Sequence, residues 1–343
     1  MTGLALAFLL LFAPSPDLEP GLREAVRRSP HSFEANFSLG EFLISKKKLS
    51  QAIPFLESAH HANPAHEGAG YDLVLAYLKT GAIDKARSRV NEMLAKREVA
   101  DLHNLLGTIE NQAGNIITAG KEFERAAQMD PNERNLFDLG DHLLRNQGFE
   151  DALKVFRHGV GLFAGSPQLR VGLGVAQYSL GNYDDAVESL CMAVDLNPAD
   201  DRPLDFLGRM RDISPKLSAE VTRRLAGFVE RYPNSAQANY FYALSLWNRR
   251  DHKLTQTEAN RVESLLKRAA TLEPNQSATY YELGLFYEDR AQPQEAVSAY
   301  EQALKAEPAN AKAHYRLGQL YSHLGRKEAA RLHLAAYRRL HPN

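Results

Sequence analysis

Apolar positions along this chain recur at helical spacing, and the whole pattern then repeats as blocks. The clearest block is SATYYELGLFYEDRAQPQEAVSAYEQALKAEPAN, Ser277–Asn310. Leu283 and Tyr287 stand four apart, as do Tyr280 and Gly284, which predicts a first helix with one apolar stripe. Ala296, Tyr300 and Ala303 give a matching stripe on a second helix, which Pro308 closes because proline cannot continue it. Glycine inside a helix costs about 1 kcal/mol against alanine, so Gly284 needs a packing reason. We expect its partners to be Ala296 and Ala303, whose small side chains let two helix backbones approach.

The frame recurs. Gly40, Gly107, Gly140, Gly174, Gly208, Gly284 and Gly318 all follow a leucine, and most neighbouring pairs are 33 or 34 apart or close to twice that. Ala52, Ala86, Ala119, Ala152, Ala186, Ala296 and Ala330 each stand twelve residues after the glycine place, and closing prolines recur at Pro64, Pro131, Pro198, Pro274, Pro308 and Pro342. Seven helix glycines at about 1 kcal/mol each would rival the net stability of a domain, so their placement is a packing requirement.

Counted from Ser277, the residues Tyr280, Leu283, Gly284, Tyr287, Ala296, Tyr300, Ala303 and Pro308 hold the packing places of the tetratricopeptide repeat, a helix-turn-helix unit of about 34 residues. The chain resembles that family over nearly its whole length. The resemblance implies an all-α, right-handed α-solenoid of about nine units, and a class of activity in which a peptide or a partner's helix lies in the concave groove of the first helices.

In chain order, residues 1–16 read as a signal peptide, since the apolar run Leu4 to Phe12 is too short to span a bilayer and has the length of an h-region. The run lacks Lys and Arg before it, and export to the periplasm or beyond in a bacterium is weighed against a cytoplasmic location. Residues 17–32 form a linker and a half-repeat helix, Leu22 to Arg28, that would cap the array. Unit one covers Phe33 to His66, unit two Glu67 to about Val99 with Val74 in the glycine place, and units three to five about Ala100 to Asp200. Thus 33–208 holds five units and the start of a sixth, 209–262 is divergent, and 263–343 holds the end of unit seven with units eight and nine. In the divergent part Pro215 is expected to end the first helix of unit six, Trp247 precedes an inserted turn from Arg249 to Leu254, and Thr255 with Glu258 forms a capping box. One continuous solenoid with a bend near 210–260 is expected.

Charge changes the picture by exclusion. Lys and Arg total 41 against 42 Asp and Glu, so nothing draws the chain onto nucleic acid or an anionic membrane, and an RNA-binding helical repeat is the weakest alternative. The lone Cys191 cannot form an internal disulfide and reads as a buried filler. The sequence carries no metal-binding, nucleophile or phosphate-loop signature: His60 and His61 point to different sides of a helix, and Gly172 and Gly174 follow no strand. No enzyme activity and no cofactor are predicted, because the repeats use up the chain.

The groove residues follow from helix geometry. The fifth place of successive units reads Phe37, Tyr71, Asn104, Phe137, Val171, Asp205, Tyr242, Tyr281 and Tyr315, six of them aromatic. Such rings bury area for little side-chain entropy and suit partner binding, or they pack on the next unit and expose an edge. Lys312 and Arg316 stand one turn apart where chaperone-binding relatives grip a C-terminal carboxylate; Tyr242, Leu246 and Glu282 depart from that clamp, and Glu288 and Asp289 would repel a carboxylate. Trp247 is a further partner-binding candidate. The partner is expected to be a protein or peptide. A second reading makes the chain an assembly factor or oligomer subunit joined through the ends of the array, with Leu334 and Tyr337 of the last helix, Lys327 to Leu340, on the partner.

Overall fold

The computed structural model describes residues 18–210, 213, 215–247 and 254–341. The expected leader at 1–16, Pro342 and the inserted turn up to residue 253 lie outside the described residues. Packing divides the chain into two compact units, one ending at Gln147 and one beginning at Gly148.

Both units are arrays of helical hairpins, and no strand occurs among the described residues. The first contains α1 (Leu18–Arg28), α2 (Phe33–Ser45), α3 (Leu49–Ala62), α4 (Glu67–Thr80), α5 (Ile83–Lys96), α6 (Ala100–Gln112), α7 (Ile116–Met129) and α8 (Glu133–Arg145). The second contains α9 (Phe149–Leu162), α10 (Pro167–Ser179), α11 (Tyr183–Leu196), α12 (Arg202–Met210), α13 (Pro215–Arg231), α14 (Ala236–Trp247), α15 (Gln256–Leu272), α16 (Ser277–Asp289), α17 (Pro293–Ala306), α18 (Ala311–His323) and α19 (Lys327–Leu340). Even-numbered helices are the first helices of their hairpins.

Local chemistry sets the boundaries. Ser32, Asn132, Ser166 and Asn310 cap first helices by accepting from backbone N–H groups three residues on. Within the hairpins the fifteenth place turns the chain in the left-handed region: Gly81, Gly114, Gly181 and Gly325 do so freely, at φ between 72° and 82°. Lys47, Gln147 and Ala291 adopt the same conformation without glycine's freedom. The expected capping box at Thr255 and Glu258 is present. Pro215, expected to end a helix, instead begins α13, where a missing N–H costs nothing; α12 has already stopped at Met210.

The repeated glycine meets a partner other than the one expected. A Cβ on Gly284 would lie 2.3 Å from the Tyr300 ring, one on Gly107 2.9 Å from Phe123, one on Gly174 2.7 Å from Leu190, and one on Gly318 2.6 Å from Leu334. In these four hairpins the large residue sixteen places on is pressed against the bare glycine backbone. Ala296 and Ala303 are fully buried and let the helices approach, but that closeness is what leaves no room for a side chain opposite the ring.

A second device joins neighbouring hairpins. The hydroxyls of Tyr77, Tyr287 and Tyr321 donate to Glu57, Glu263 and Glu301 on the second helix of the preceding hairpin, the latter two at 2.9 and 2.6 Å. Where that tyrosine place holds Glu110, the join is an ion pair: Arg87 on α5 donates to it at 2.5 Å, and Asn115 at 2.6 Å. Arg87 holds the Glu110 carboxyl below its ordinary range against the opposing effect of burial. In the divergent stretch the nesting is rewired. A Cβ on Gly208 would lie 2.3 Å from Phe241 of α14, so a residue of the following hairpin takes the seat that a second-helix residue fills elsewhere. Cys191 is buried in this core, which pushes its thiol up to about 12, out of reach of thiolate chemistry at neutral pH.

Candidate functional site

The fifth place of the first helices is a half-buried seat. Phe37 stacks on Phe33 with centroids 5.3 Å apart and meets the His66 ring at 5.0 Å. Tyr71 is half-buried on α4, and burial, then the charge of Asp101, pushes its hydroxyl pKa up. Phe137 on α8 is also half-buried. Tyr281 leans on Tyr300 at 5.7 Å, and Tyr315 on Tyr337 at 5.1 Å. These rings therefore spend one face on their own hairpin or its neighbour and keep an edge for solvent. Tyr315 is the most open, 40% exposed, with its hydroxyl accepting from Gln319 at 2.7 Å. Smaller residues at the same place sink inward: Val171 is buried, and Asn104 is fully buried, donating to Asp138 at 2.9 Å.

Unit seven runs in a different register from that expected. Ser235 caps α14 by accepting from Ala238, and Asn239 donates to Pro233 and Ser235 carbonyls, just as Ser32 and Asn36 do around α2. Counted from that cap, Tyr240 occupies the fifth place and the buried Ala243 the glycine place. Tyr242 stands two places on, half-buried against the core.

The basic pair of α18 is split. Lys312 is exposed, whereas Arg316 reaches back to α16, 3.8 Å from Glu288. Burial acts to lower the Arg316 pKa, but its hydrogen bond to the Tyr281 hydroxyl and the charge of Glu288 outweigh this, and the net shift is upward. Glu288 also accepts from the buried Tyr300 hydroxyl, so Tyr281, Arg316, Glu288 and Tyr300 form one connected cluster across α16, α17 and α18. Trp247 lies edge-on to Phe286 at 5.5 Å and donates its indole N–H to Asp289 at 3.3 Å. It is an anchor between α14 and α16 as much as a surface ring. On α19, Leu334 fills the seat under Gly318 and Tyr337 packs on Tyr315, so the open apolar residue is Leu332, 68% exposed.

Among the described residues no group of three or more His, Cys, Asp or Glu side chains could hold a metal ion, and no helix is long and apolar enough to cross a membrane.

Consecutive helical hairpins, most of those described closed by a glycine under a large side chain, define a helical-repeat protein of a kind that typically serves as an interaction scaffold. The chain belongs to the tetratricopeptide repeat family: two tetratricopeptide repeat models match residues 43–109 with 289–343, and residues 137–201, together more than half of it. No curated protein matches the chain. Among solved structures it is similar to the C-terminal part of a TPR repeat-containing protein from Cytophaga hutchinsonii, at 14% identity over 82% of this chain and 99% of that one, with a TM-score of 0.51. It is also similar to YrrB, described as a TPR protein with an unusual peptide-binding site, at 20% identity over 54% of this chain and 96% of that one, TM-score 0.42. Human IFIT1, solved as a dimer with PPP-AAAA, aligns at 15% identity over 94% of this chain and 81% of that one, TM-score 0.44. These likenesses describe the fold.

Proposed function

We propose that the chain is a non-catalytic scaffold in the bacterial cell envelope that holds a peptide or a partner's helix across the first helices, with Tyr281, Tyr315, Lys312 and Arg316 as the centre of contact. The observation that carries this reading is the half-open aromatic seat beside a charged cluster on α16 and α18. Rings already held against Tyr300 and Tyr337 lose little entropy on binding, and each still offers an edge. Lys312 is free to take an acidic group, while Arg316, engaged by Glu288, fixes the Tyr281 hydroxyl. Phe37, Tyr71, Phe137 and Trp247 extend the same kind of seat along other first helices. The envelope location rests on the apolar run Leu4 to Phe12.

The test is affinity capture from an envelope extract by wild type and by Tyr281→Ala with Tyr315→Ala, with bound proteins identified by mass. The double variant is expected to keep its helicity by circular dichroism and to lose the captured partner. Capture equal to wild type would overturn the assignment.

The exposed Leu332 on α19 favours a second reading, self-association through the last helix. Sedimentation at low and high concentration checks it: a concentration-dependent shift abolished by Leu332→Gln is expected if it holds, and a constant monomer rejects it.

A further inference from the structure

One position on α4 lacks the side chain that two other first helices carry at the same place. At the fourth place of α6 and of α18 a histidine reaches across its own hairpin: His103 Nδ1 lies 2.6 Å from Glu122 on α7, and His314 Nδ1 2.9 Å from His333 Nδ1 on α19. Glu122 and His333 each stand nineteen residues after their histidine. In α4 the fourth place is Gly70, and nineteen residues on is Arg89 of α5. The seat that imidazole fills in those two hairpins has no side chain from α4, and a cavity of about 320 Å³ opens between α4, α5 and the start of α6. Met93, where most hairpins have a small residue, takes part of the space; its Sδ and Cε lie 3.3 Å from where a Gly70 Cβ would be. Its unbranched thioether is a wall that can shift.

The cavity is electrostatically one-sided. Arg89, Lys96 and Arg97 line it against a single carboxylate, Glu67, which Arg97 holds at 3.1 Å. Arg89 is the deepest of the three, its side chain 11% exposed, with Nη2 3.9 Å from the missing Cβ. Its Nη1 donates to Glu92 and its Nη2 to His60 Nδ1 at 2.9 Å, whereas its Nε is buried with no acceptor. Burial, then the neighbouring Arg89, pushes the His60 pKa down, so the neutral ring accepts a hydrogen bond from Nη2 without neutralising the guanidinium. A buried N–H left unpaired carries an uncompensated desolvation cost that an incoming acceptor relieves. Tyr71 and Leu102 supply apolar wall for a short aliphatic stem.

We propose that this cavity is a specificity pocket for an acidic side chain, a glutamate or aspartate, of the peptide held by the scaffold. The volume stands at the lower edge of the roughly 300–1,000 Å³ typical of ligand pockets, which fits a side chain better than a cofactor. The stem packs on Tyr71 and Leu102 while the carboxylate meets the Arg89 edge and Lys96, and the charge-assisted bond favours it over its amide. The proposal rests on the chain being a peptide binder, but it uses different residues from the α16–α18 centre, so the two can fail separately.

The experiment titrates the full chain with a fluorescent positional-scanning library of short acetylated peptides in which one position is fixed as Glu, Gln or Lys, with free glutarate as a competitor. The Glu set should bind at least about tenfold tighter than the Gln set, with Lys weaker still and the preference falling as salt rises. Gly70→His, which fills the seat as His103 and His314 do, should fold and erase the Glu preference; Lys96→Glu, an exposed change, should reduce it. Displacement by glutarate as effective as by Glu peptide would assign the pocket to free dicarboxylates and overturn the peptide assignment. Binding without any Glu preference, or a preference that survives both variants, would sink the pocket while leaving the α16–α18 reading intact. A preference lost in Gly70→His but kept in Tyr281→Ala with Tyr315→Ala supports it.

Discussion

Two glycines in two first helices show how one repeat can be spent on stability and another on recognition. In α16, Gly284 lies under Tyr300, whose ring is fully buried and would clash with any Cβ. In α4, Gly70 faces only the end of Met93 and a cavity walled by Arg89. Both residues forgo about 1 kcal/mol of helix propensity. At Gly284 that cost is offset by the packing of a tyrosine; at Gly70 no comparable packing offsets it, which points to a ligand.

Emptying the filled seat should have the largest effect. Tyr300→Ala is expected to lose about 3–5 kcal/mol, because it removes a buried ring and one of the partners of Glu288, and chemical denaturation should show it as a lower midpoint. Smaller is the loss of one inter-hairpin latch: Tyr287→Phe should cost about 1 kcal/mol by the same assay, since Glu263 keeps Lys267 at 2.7 Å as a partner. The third contrast is with acid. Burial, with His314 beside it, pushes His333 down, burial pushes His142 down, and burial and Arg89 do the same to His60, while α16 and α17 contain no histidine. A histidine depressed in the fold protonates first in the unfolded chain, so its contribution is complete above the ordinary value of about 6.5 and is lost as pH falls below it. Hydrogen exchange at pH 7.5 and 5.5 should therefore show α18–α19, α8 and α3–α5 opening more readily at the lower pH, with α16–α17 unchanged.

Most of the fold was legible because its packing rule is written in small residues. A glycine after a leucine, an alanine twelve places on and a closing proline fix helix, turn and helix, and the hairpins α2–α3, α6–α7, α10–α11, α16–α17 and α18–α19 follow them. The partner of the glycine was not legible in that way. Small residues suggest small neighbours, whereas the helices come close enough at Ala296 and Ala303 that a ring sixteen places on must lie against bare backbone. The turn conformation at the fifteenth place could be read at Gly81 but not at Ala291. Unit seven was misregistered by two residues because Trp247 and the insert obscured the count, and its cap, Ser235 with Asn239, was the signal that α14 begins earlier. The fifth-place rings were found from helix geometry, but their double use, one face packed and one edge open, depends on Tyr300 and Tyr337 from second helices. The Gly70 cavity had a sequence signature too: a glycine in a place for large residues, with Met93 in a place for small ones. Reading the chain for residues present rather than residues missing passes over it.

The most direct test is thermal unfolding of Gly70→Ala and Gly284→Ala side by side. The methyl at Gly284 must displace the Tyr300 ring and should lower the melting temperature, an overpacking cost of about 1–3 kcal/mol. The methyl at Gly70 meets only the flexible Met93 end and should raise it, by up to about 1 kcal/mol of regained helix propensity. Opposite signs are the result the account predicts; a fall in both would mean that Gly70 is a packing glycine like the rest and that its cavity is no vacancy kept for a ligand.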